Sequence, residues 1–129
     1  MGVKSIGFTP YFSGKAFAVK KNLQISELND IYGALLTEHQ REVLRSYYDF
    51  DLSLAEIAEN DGISRQAVRD ALVKAEELLA DFESKLGLLE KREHEREAAK
   101  AALDEIENGN IEPAKAYLSN VIVETVSGS

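Results

Sequence analysis

The stretch from Ser53 to Leu72, SLAEIAENDGISRQAVRDAL, constrains the fold most, because it has the layout of a helix-turn-helix. Ser53, followed three residues later by Glu56, forms the capping-box pattern that begins a helix. Gly62 interrupts the apolar period and can adopt the positive φ that a tight turn between helices requires. Ser64 is typical of the cap of a second helix. The stretch therefore predicts two helices joined by a tight turn.

The spacing of three residues within this stretch matches the steric needs of two helices that cross steeply. A small residue, Ala58, allows close approach of the helices, and Gly62 makes the turn four residues later. The aliphatic side chain of Val68, six residues further on, fills the space between the two crossing helices. We therefore predict a helix-turn-helix core of Ala58, Gly62 and Val68. Such units bind DNA in many proteins and only join proteins in others, so the fold does not assign the use.

Length and composition limit the classes of protein that this chain can belong to. Its 129 residues, 44% of them hydrophobic, fit one domain with a real core. The absence of cysteine excludes a disulfide framework and a thiolate metal site. No apolar run approaches the ~20 residues that span a bilayer, and no secretory signal pattern occurs. These features predict a soluble cytoplasmic protein that does not insert into membranes.

The sequence offers little for catalysis. No Ser-His-Asp arrangement, glycine-rich phosphate loop or metal-ligand spacing is present. The two histidines lie far apart in the sequence, and we interpret both His39 and His94 as exposed helix residues. We therefore expect a non-enzymatic protein without metal or cofactor.

The charge of the chain bears directly on nucleic-acid binding. The formal net charge is -8, and residues 36–86 hold six Lys and Arg against twelve Asp and Glu, a net -6. Affinity for duplex DNA comes largely from cations that replace counterions at phosphates. This balance argues against a strong autonomous DNA binder and is compatible with a protein partner that carries a basic region.

Further helices are predicted on both sides of the central stretch. Ser26 is expected to cap a first helix that runs to about Leu35, and Thr37, with Gln40 three residues on, to cap the next. The second helix of the motif is expected from Arg65 to about residue 86, with Gly87 as its left-handed cap. The following residues are predicted to be buried: Ile25, Leu28, Tyr32, Leu35, Val43, Leu44, Tyr47, Phe50, Leu72, Ala75, Leu79, Phe82 and Leu86. Base stacking is the alternative role for the aromatic residues, and Tyr48 is left open between the two roles.

We divide the chain into an N-terminal extension at 1–21, a helix-turn-helix domain at 22–91 and a C-terminal helical extension at 92–129. The first segment has four lysines and no acid, and we favour a disordered tail over a basic arm that binds nucleic acid or a partner. A further hypothesis is that translation begins at Val19. A charged helix at 89–107 is expected to pack on a second copy, on a partner helix or on its own domain. Pro113 is expected to begin a last helix, followed by a loose tail from Glu124.

Residues 36–72 resemble region 4 of bacterial sigma factors, through the LTE-x-x-REVL opening, the SLAEIA helix and the ISRQAVR helix. From about Asn22 to Lys91 the chain is similar to the YlxM family, in the segments LQISELNDIYGALLTEHQREVL, YYDFDLSLAEIAE, GISRQAVRDAL and SKLGLLEK. The resemblance implies an all-α fold resembling sigma region 4, with extra C-terminal helices here. It also implies an accessory role in the signal recognition particle pathway, with the particle's GTPase or its RNA as partner. The family normally begins near residues 19–22 of this numbering, in line with the alternative start.

The candidate binding residues lie at the beginnings of the two motif helices. In a major groove, residues at the start of the second helix would face base edges. Ser53 could hold a phosphate through free N–H groups at the first helix. The binding candidates are Ser53, Ser64, Arg65, Gln66 and Arg69. The serines are equally needed as caps, and Arg69 could instead pair with an acid on a neighbouring helix. An accessory role in the particle pathway is our preferred hypothesis, with a sequence-specific DNA-binding regulator and a structural helical homodimer as alternatives.

Overall fold

A computed structural model describes the backbone of residues 14–127 and the side chains of residues 22–123. Every regular element in this part of the chain is helical, which confirms the all-α prediction. The chain divides into two compact units, one up to Gly87 and one from Leu88. The helices are α1 (Gly14–Tyr32), α2 (Glu38–Leu44), α3 (Leu54–Asp61), α4 (Arg65–Leu86), α5 (Leu88–Glu107) and α6 (Ile111–Ser127).

The first helix begins earlier than the sequence suggested. The prediction that Ser26 caps it is wrong, because α1 runs without a break from Gly14. The Ser26 hydroxyl donates to Asp49 Oδ1 at 2.5 Å instead of capping a helix. A serine is compatible with a helix interior when its hydroxyl bonds outside the local backbone. The expectation of a disordered tail at residues 1–21 is therefore wrong for residues 14–21, which belong to α1, and its remaining part, residues 1–13, lies outside the described residues.

The predicted capping boxes of α2 and α3 are confirmed. Thr37 Oγ1 accepts from the Gln40 N–H at 3.1 Å, and Gln40 Oε1 accepts from the Thr37 N–H at 3.0 Å. Ser53 Oγ accepts from the Glu56 N–H at 3.1 Å, while Glu56 Oε1 accepts from the Ser53 N–H at 2.8 Å. Each box satisfies two backbone donors that have no partner inside the helix.

The turn between α3 and α4 has the backbone that the glycine predicts. Gly62 lies at φ +69° and ψ +32°, and its N–H donates to the Ala58 carbonyl. The Ile63 N–H donates to the same carbonyl at 3.1 Å, so the turn closes directly over Ala58. Ser64 Oγ accepts from the Ala67 N–H at 3.0 Å and caps α4. The helix-turn-helix is thereby formed by residues 53–86.

The core of the first unit lies along one side of α4, on which α1, α2 and α3 all pack. Four residues predicted to be buried are exposed instead, and those predictions are wrong: Leu35 by 60%, Phe50 by 59%, Leu86 by 56% and Tyr47 by 36%. Leu35 ends a short 3-10 helix, Gly33–Leu35, that follows α1, and Leu86 is the last residue of α4. The Phe50 ring lies under the Arg45 guanidinium, whose carbon is 5.6 Å from the ring centroid. The buried residues of this unit include Ile25, Leu28, Tyr32, Val43, Leu44, Ile57, Ala58, Val68, Leu72, Ala75 and Leu79.

The second unit is a hairpin of α5 and α6. Residues 108–110 form the connecting turn, in which Gly109 lies at φ +81°. Ala102 and Ala114 are buried, and the two helices pack on each other. The last helix begins at Ile111, two residues before Pro113, whose missing N–H is tolerated in a first helical turn. It continues to Ser127, so the expectation of a loose tail from residue 124 is wrong for the backbone of residues 124–127.

The conformation of Gly62 leads to a stability prediction. A Cβ at this position would have no atom within 4 Å, so the cost of a side chain arises from the backbone alone. Gly62→Ala is expected to lower the free energy of unfolding by about 1 kcal/mol, because alanine disfavours the left-handed region. Gly62→Asn should lower the free energy of unfolding by a smaller amount, since asparagine adopts the left-handed region more readily than alanine. Urea unfolding followed by circular dichroism measures both, and equal stability of the alanine variant and the natural chain would contradict the turn geometry.

Candidate nucleic-acid interface

The residues predicted to bind a partner from the second motif helix lie together at the start of α4. We define the leading edge as Ser64, Arg65, Gln66 and Arg69, all of which are exposed. Arg65 and Arg69 are four residues apart and therefore lie on one face of the helix. Below this edge, Val68 is fully buried and Ala58 nearly so. The buried contact between the helices thus turns the charged side of α4 outward.

The two arginines of the leading edge are available to a ligand. Neither Arg65 nor Arg69 forms a hydrogen bond or an ion pair with any residue that the structure describes. The alternative in which Arg69 pairs with an acid on a neighbouring helix is therefore wrong for this part of the chain. A guanidinium presents a planar fork of donors that fits phosphate oxygens or the O6 and N7 atoms of guanine.

Gln66 is less available than the arginines. Its Nε2 donates to Asp70 Oδ1 at 2.9 Å along the same helix. Contact with an adenine edge would require this hydrogen bond to break. The carboxylates of Asp70 and Glu77 are exposed on α4 and would repel a phosphate that approached them. The attraction for an anion is consequently concentrated at the arginines.

Ser53 and Ser64 stand at helix starts of different character. At α3, the Glu56 carboxylate bonds to the Ser53 N–H and brings a negative charge to the helix start. A phosphate at this position would meet that charge. At α4 the first turn contains no acid, and the first helical residue is Arg65. Of the two helix starts, α4 is the one whose surroundings suit an anion.

A tyrosine–glutamate hydrogen bond, which the sequence did not reveal, holds the middle of α4. The Tyr48 hydroxyl donates to the Glu76 carboxylate, and Glu76 is only 7% exposed. Burial, together with the nearby Glu76 charge, raises the pKa of Tyr48 far above its ordinary value, so the hydroxyl keeps its proton. One sequence signal was present: Glu76 interrupts the apolar side of α4 beside Ala75.

The aromatic residues before α3 are more exposed than expected of core residues. Tyr47 packs edge-on against Tyr48 with ring centroids 5.0 Å apart and is 36% exposed. The residues from Arg45 to Asp49 form a π-helical turn, and such turns are frequent at functional sites. Arg45 and the exposed Phe50 ring add a cation–π pair. These rings remain candidates for contact with a base or a partner.

Comparison with known proteins decides the family. The UPF0122 family model, described as helix-turn-helix and "YlxM / p13 like", matches residues 19–116. The chain belongs to the YlxM family. The match extends beyond Lys91, where the resemblance in the sequence was placed, and includes α5 and the beginning of α6. The helix-turn-helix of this family is a fold used for nucleic-acid binding.

Curated relatives support the same assignment. A "UPF0122 protein" of Clostridium kluyveri is 47% identical over 90 residues, covering 70% of this chain and 81% of the relative. One from Desulforamulus reducens is 40% identical over 111 residues, covering 81% of this chain and 95% of the relative. One from Clostridium botulinum is 42% identical over 100 residues, covering 78% and 92%.

None of the helices that the structure describes combines the length and the apolar character needed to cross a membrane. His39 is exposed, and its Nε2 lies 3.6 Å from Asp61 Oδ2 at the end of α3. His94 is also exposed, as expected from the sequence.

The buried hydrogen bond to Glu76 leads to a prediction with an adjacent control. Tyr48→Phe removes a hydrogen bond to a buried carboxylate and should lower the free energy of unfolding by about 2 kcal/mol. Tyr47→Phe should change it by less than about 0.5 kcal/mol, because the Tyr47 hydroxyl has no partner among the described residues. Chemical denaturation of the full chain measures both variants. Equal losses in the two would contradict the assigned role of Tyr48.

Proposed function

We propose that this YlxM-family chain is a non-enzymatic, cytoplasmic accessory protein of the signal recognition particle pathway. In this proposal it binds the particle's RNA or its GTPase through the leading edge of α4. The observation that carries the proposal is the pair of exposed arginines, Arg65 and Arg69, which have no partner among the residues that the structure describes. The sequence resemblance to YlxM proteins supplies the pathway.

The shape of RNA determines how such an edge could be used. The major groove of an A-form helix is too narrow to admit α4, so contact would involve phosphates, the shallow groove or loop bases. Two guanidinium groups one helical turn apart can grip neighbouring phosphates without entering a groove. The exposed rings of Tyr47 and Phe50 offer flat surfaces for unpaired bases.

The charge pattern also accommodates the GTPase as the partner. Twelve acids stand against six bases from residue 36 to 86, so most of this unit would attract a basic protein surface. The two arginines would then meet carboxylates or backbone carbonyls of that surface. A long-range attraction with a cationic partner and a short-range contact at the edge are compatible in one complex.

The runner-up is a sequence-specific DNA-binding regulator. It is favoured by one observation: the turn over Ala58 leaves the start of α4 exposed, as a recognition helix needs. Arg65 and Arg69 would read guanine, and Gln66 would read adenine after leaving Asp70. The carboxylates of Asp70 and Glu77 oppose this use, because both would approach the phosphate backbone.

A binding experiment tests the proposal with a matched control. Full-length protein is titrated against the particle RNA alone, the GTPase alone and their complex. Arg65→Ala with Arg69→Ala should weaken binding at least about tenfold, because each lost contact with a charged group costs on the order of 1–3 kcal/mol. Lys85→Ala, at the opposite end of α4, should change affinity little, since its amine is paired with Asp81.

The salt dependence separates the possible partners. If phosphates are the contact, the double variant should lower the slope of log K against log salt by about two, one for each arginine. Failure to bind RNA, GTPase and complex alike would refute the particle role. Selection of a shared DNA site from genomic fragments, lost in Arg65→Ala, would establish the runner-up in its place.

A further inference from the structure

The hairpin of α5 and α6 carries an uncovered apolar surface that the proposed function does not use. We call this surface the apolar flank. Each member is about half exposed, between 42% and 63%, although each is a large aliphatic residue. Its members are Leu103, Ile106, Ile111, Leu118 and Ile122.

The five residues lie on one side of the hairpin. Ala102 and Ala114, both buried, mark the facing sides of the two helices. Each residue of an α-helix is rotated by about 100° around the helix axis from the one before it. By this measure Leu103 and Ile106 lie about 100° and 40° around the axis of α5 from Ala102, in the direction in which the chain advances. Ile111, Leu118 and Ile122 are displaced from Ala114 by about 60°, 40° and 80° in the same sense. In two antiparallel right-handed helices whose sides face each other, rotation in the chain direction leads to the same face of the pair. The five residues therefore lie on one face of the hairpin.

The area of this surface is large enough to indicate an interaction. Half of five large aliphatic residues amounts to roughly 400 Å² per chain, within the range at which exposed patches mark interaction sites. Two such flanks together would bury on the order of 800–1,000 Å², and the surrounding side chains bring this towards the ~1,200 Å² of a stable interface. Among the described residues of this unit, Leu89, Ala102 and Ala114 are the buried hydrophobic ones, so most of its large aliphatic side chains remain exposed.

The chemistry of the flank selects its occupant. All five side chains are uncharged, which gives a charged partner nothing to pair with. Residues 88–129 carry five Lys and Arg against nine Asp and Glu, a net -4 that repels anionic lipid. A second copy of the chain presents an identical apolar flank, and an interface with twofold symmetry joins the same surface of both copies. Two hairpins then form the four-helix layer in which such flanks become buried.

We propose that the apolar flank binds the apolar flank of a second copy of this chain, so that two α5–α6 hairpins form a four-helix bundle. This goes beyond the proposed function and is independent of it. It assigns the exposed aliphatic residues of the second unit to a dimer interface. A dimer holds two leading edges in one particle and raises their apparent affinity for a ligand with two sites.

Neighbouring residues of α6 provide a matched test in the full chain. Ile122 and Val123 are 63% and 62% exposed, yet Val123 points away from Ala114 by about 180° and lies off the flank. Sedimentation velocity over a concentration series should give the natural chain twice its 14.3 kDa mass. Ile122→Glu should give a monomer, because it would bury one negative charge from each copy in the apolar interface, and Val123→Glu should remain a dimer. Leu103→Glu, on the other helix, should also be monomeric.

Several outcomes would overturn the proposal. A natural chain that sediments as a monomer at every concentration would do so without any variant. So would a dimer that persists in both Ile122→Glu and Leu103→Glu, or one that is lost equally in Val123→Glu. Circular dichroism of each variant reports whether its helices are intact. Flotation of a monomeric natural chain with phosphatidylglycerol vesicles, lost in Ile122→Glu, would reassign the flank to a lipid surface.

Discussion

Burial of one side of α4 is the interaction on which the first unit depends. Val68, Leu72, Ala75 and Leu79 line this side, and α1, α2 and α3 each pack on the helix. The same helix presents Arg65 outward at its start. The apolar contact that stabilises the fold therefore also fixes the orientation of the candidate binding residue, so a change in the core would displace the leading edge.

The Tyr48–Glu76 pair adds a polar contact to this apolar interface. A buried carboxylate is costly unless it is hydrogen bonded, and Tyr48 supplies a donor that keeps its proton. Tyr32 donates in the same manner to Glu83 Oε1 at 2.8 Å, about two turns further along α4. Directional bonds of this kind fix the position of a helix more narrowly than apolar packing does. They are well suited to holding α4 in register against α1 and the π-helical turn.

Local sequence signals predicted the helix-turn-helix because their causes are local. The bonds of Thr37 with Gln40 and of Ser53 with Glu56 join groups three residues apart, and Gly62 is needed for its own φ angle. Such features depend little on the rest of the chain. The extent of α4 followed from the same kind of signal at its two ends.

Predictions failed where distant contacts decide. Ser26 has the chemistry of a cap, but its hydroxyl bonds to Asp49, 23 residues away. Leu35 continues the apolar period of α1 after the helix has ended, so it reaches no core. The pair of Tyr48 and Glu76, 28 residues apart, could not be recognised from spacing. At the candidate site, the residue types were predictable, but the Gln66–Asp70 bond required the structure. So did the finding that Arg65 and Arg69 have no partner among the side chains described at residues 22–123.

Arg65 and Arg69 place two exposed cations one helical turn apart in a strongly acidic chain. An exposed guanidinium acts over about a Debye length, ~8 Å at physiological salt, so Arg65 and Arg69 govern their surroundings despite the net charge of -8. The most direct test is amide chemical-shift mapping of the full chain on addition of the particle RNA or its GTPase. We expect the largest changes at residues 64–69. Changes confined to α5 and α6, with residues 64–69 unaffected at saturation, would contradict it.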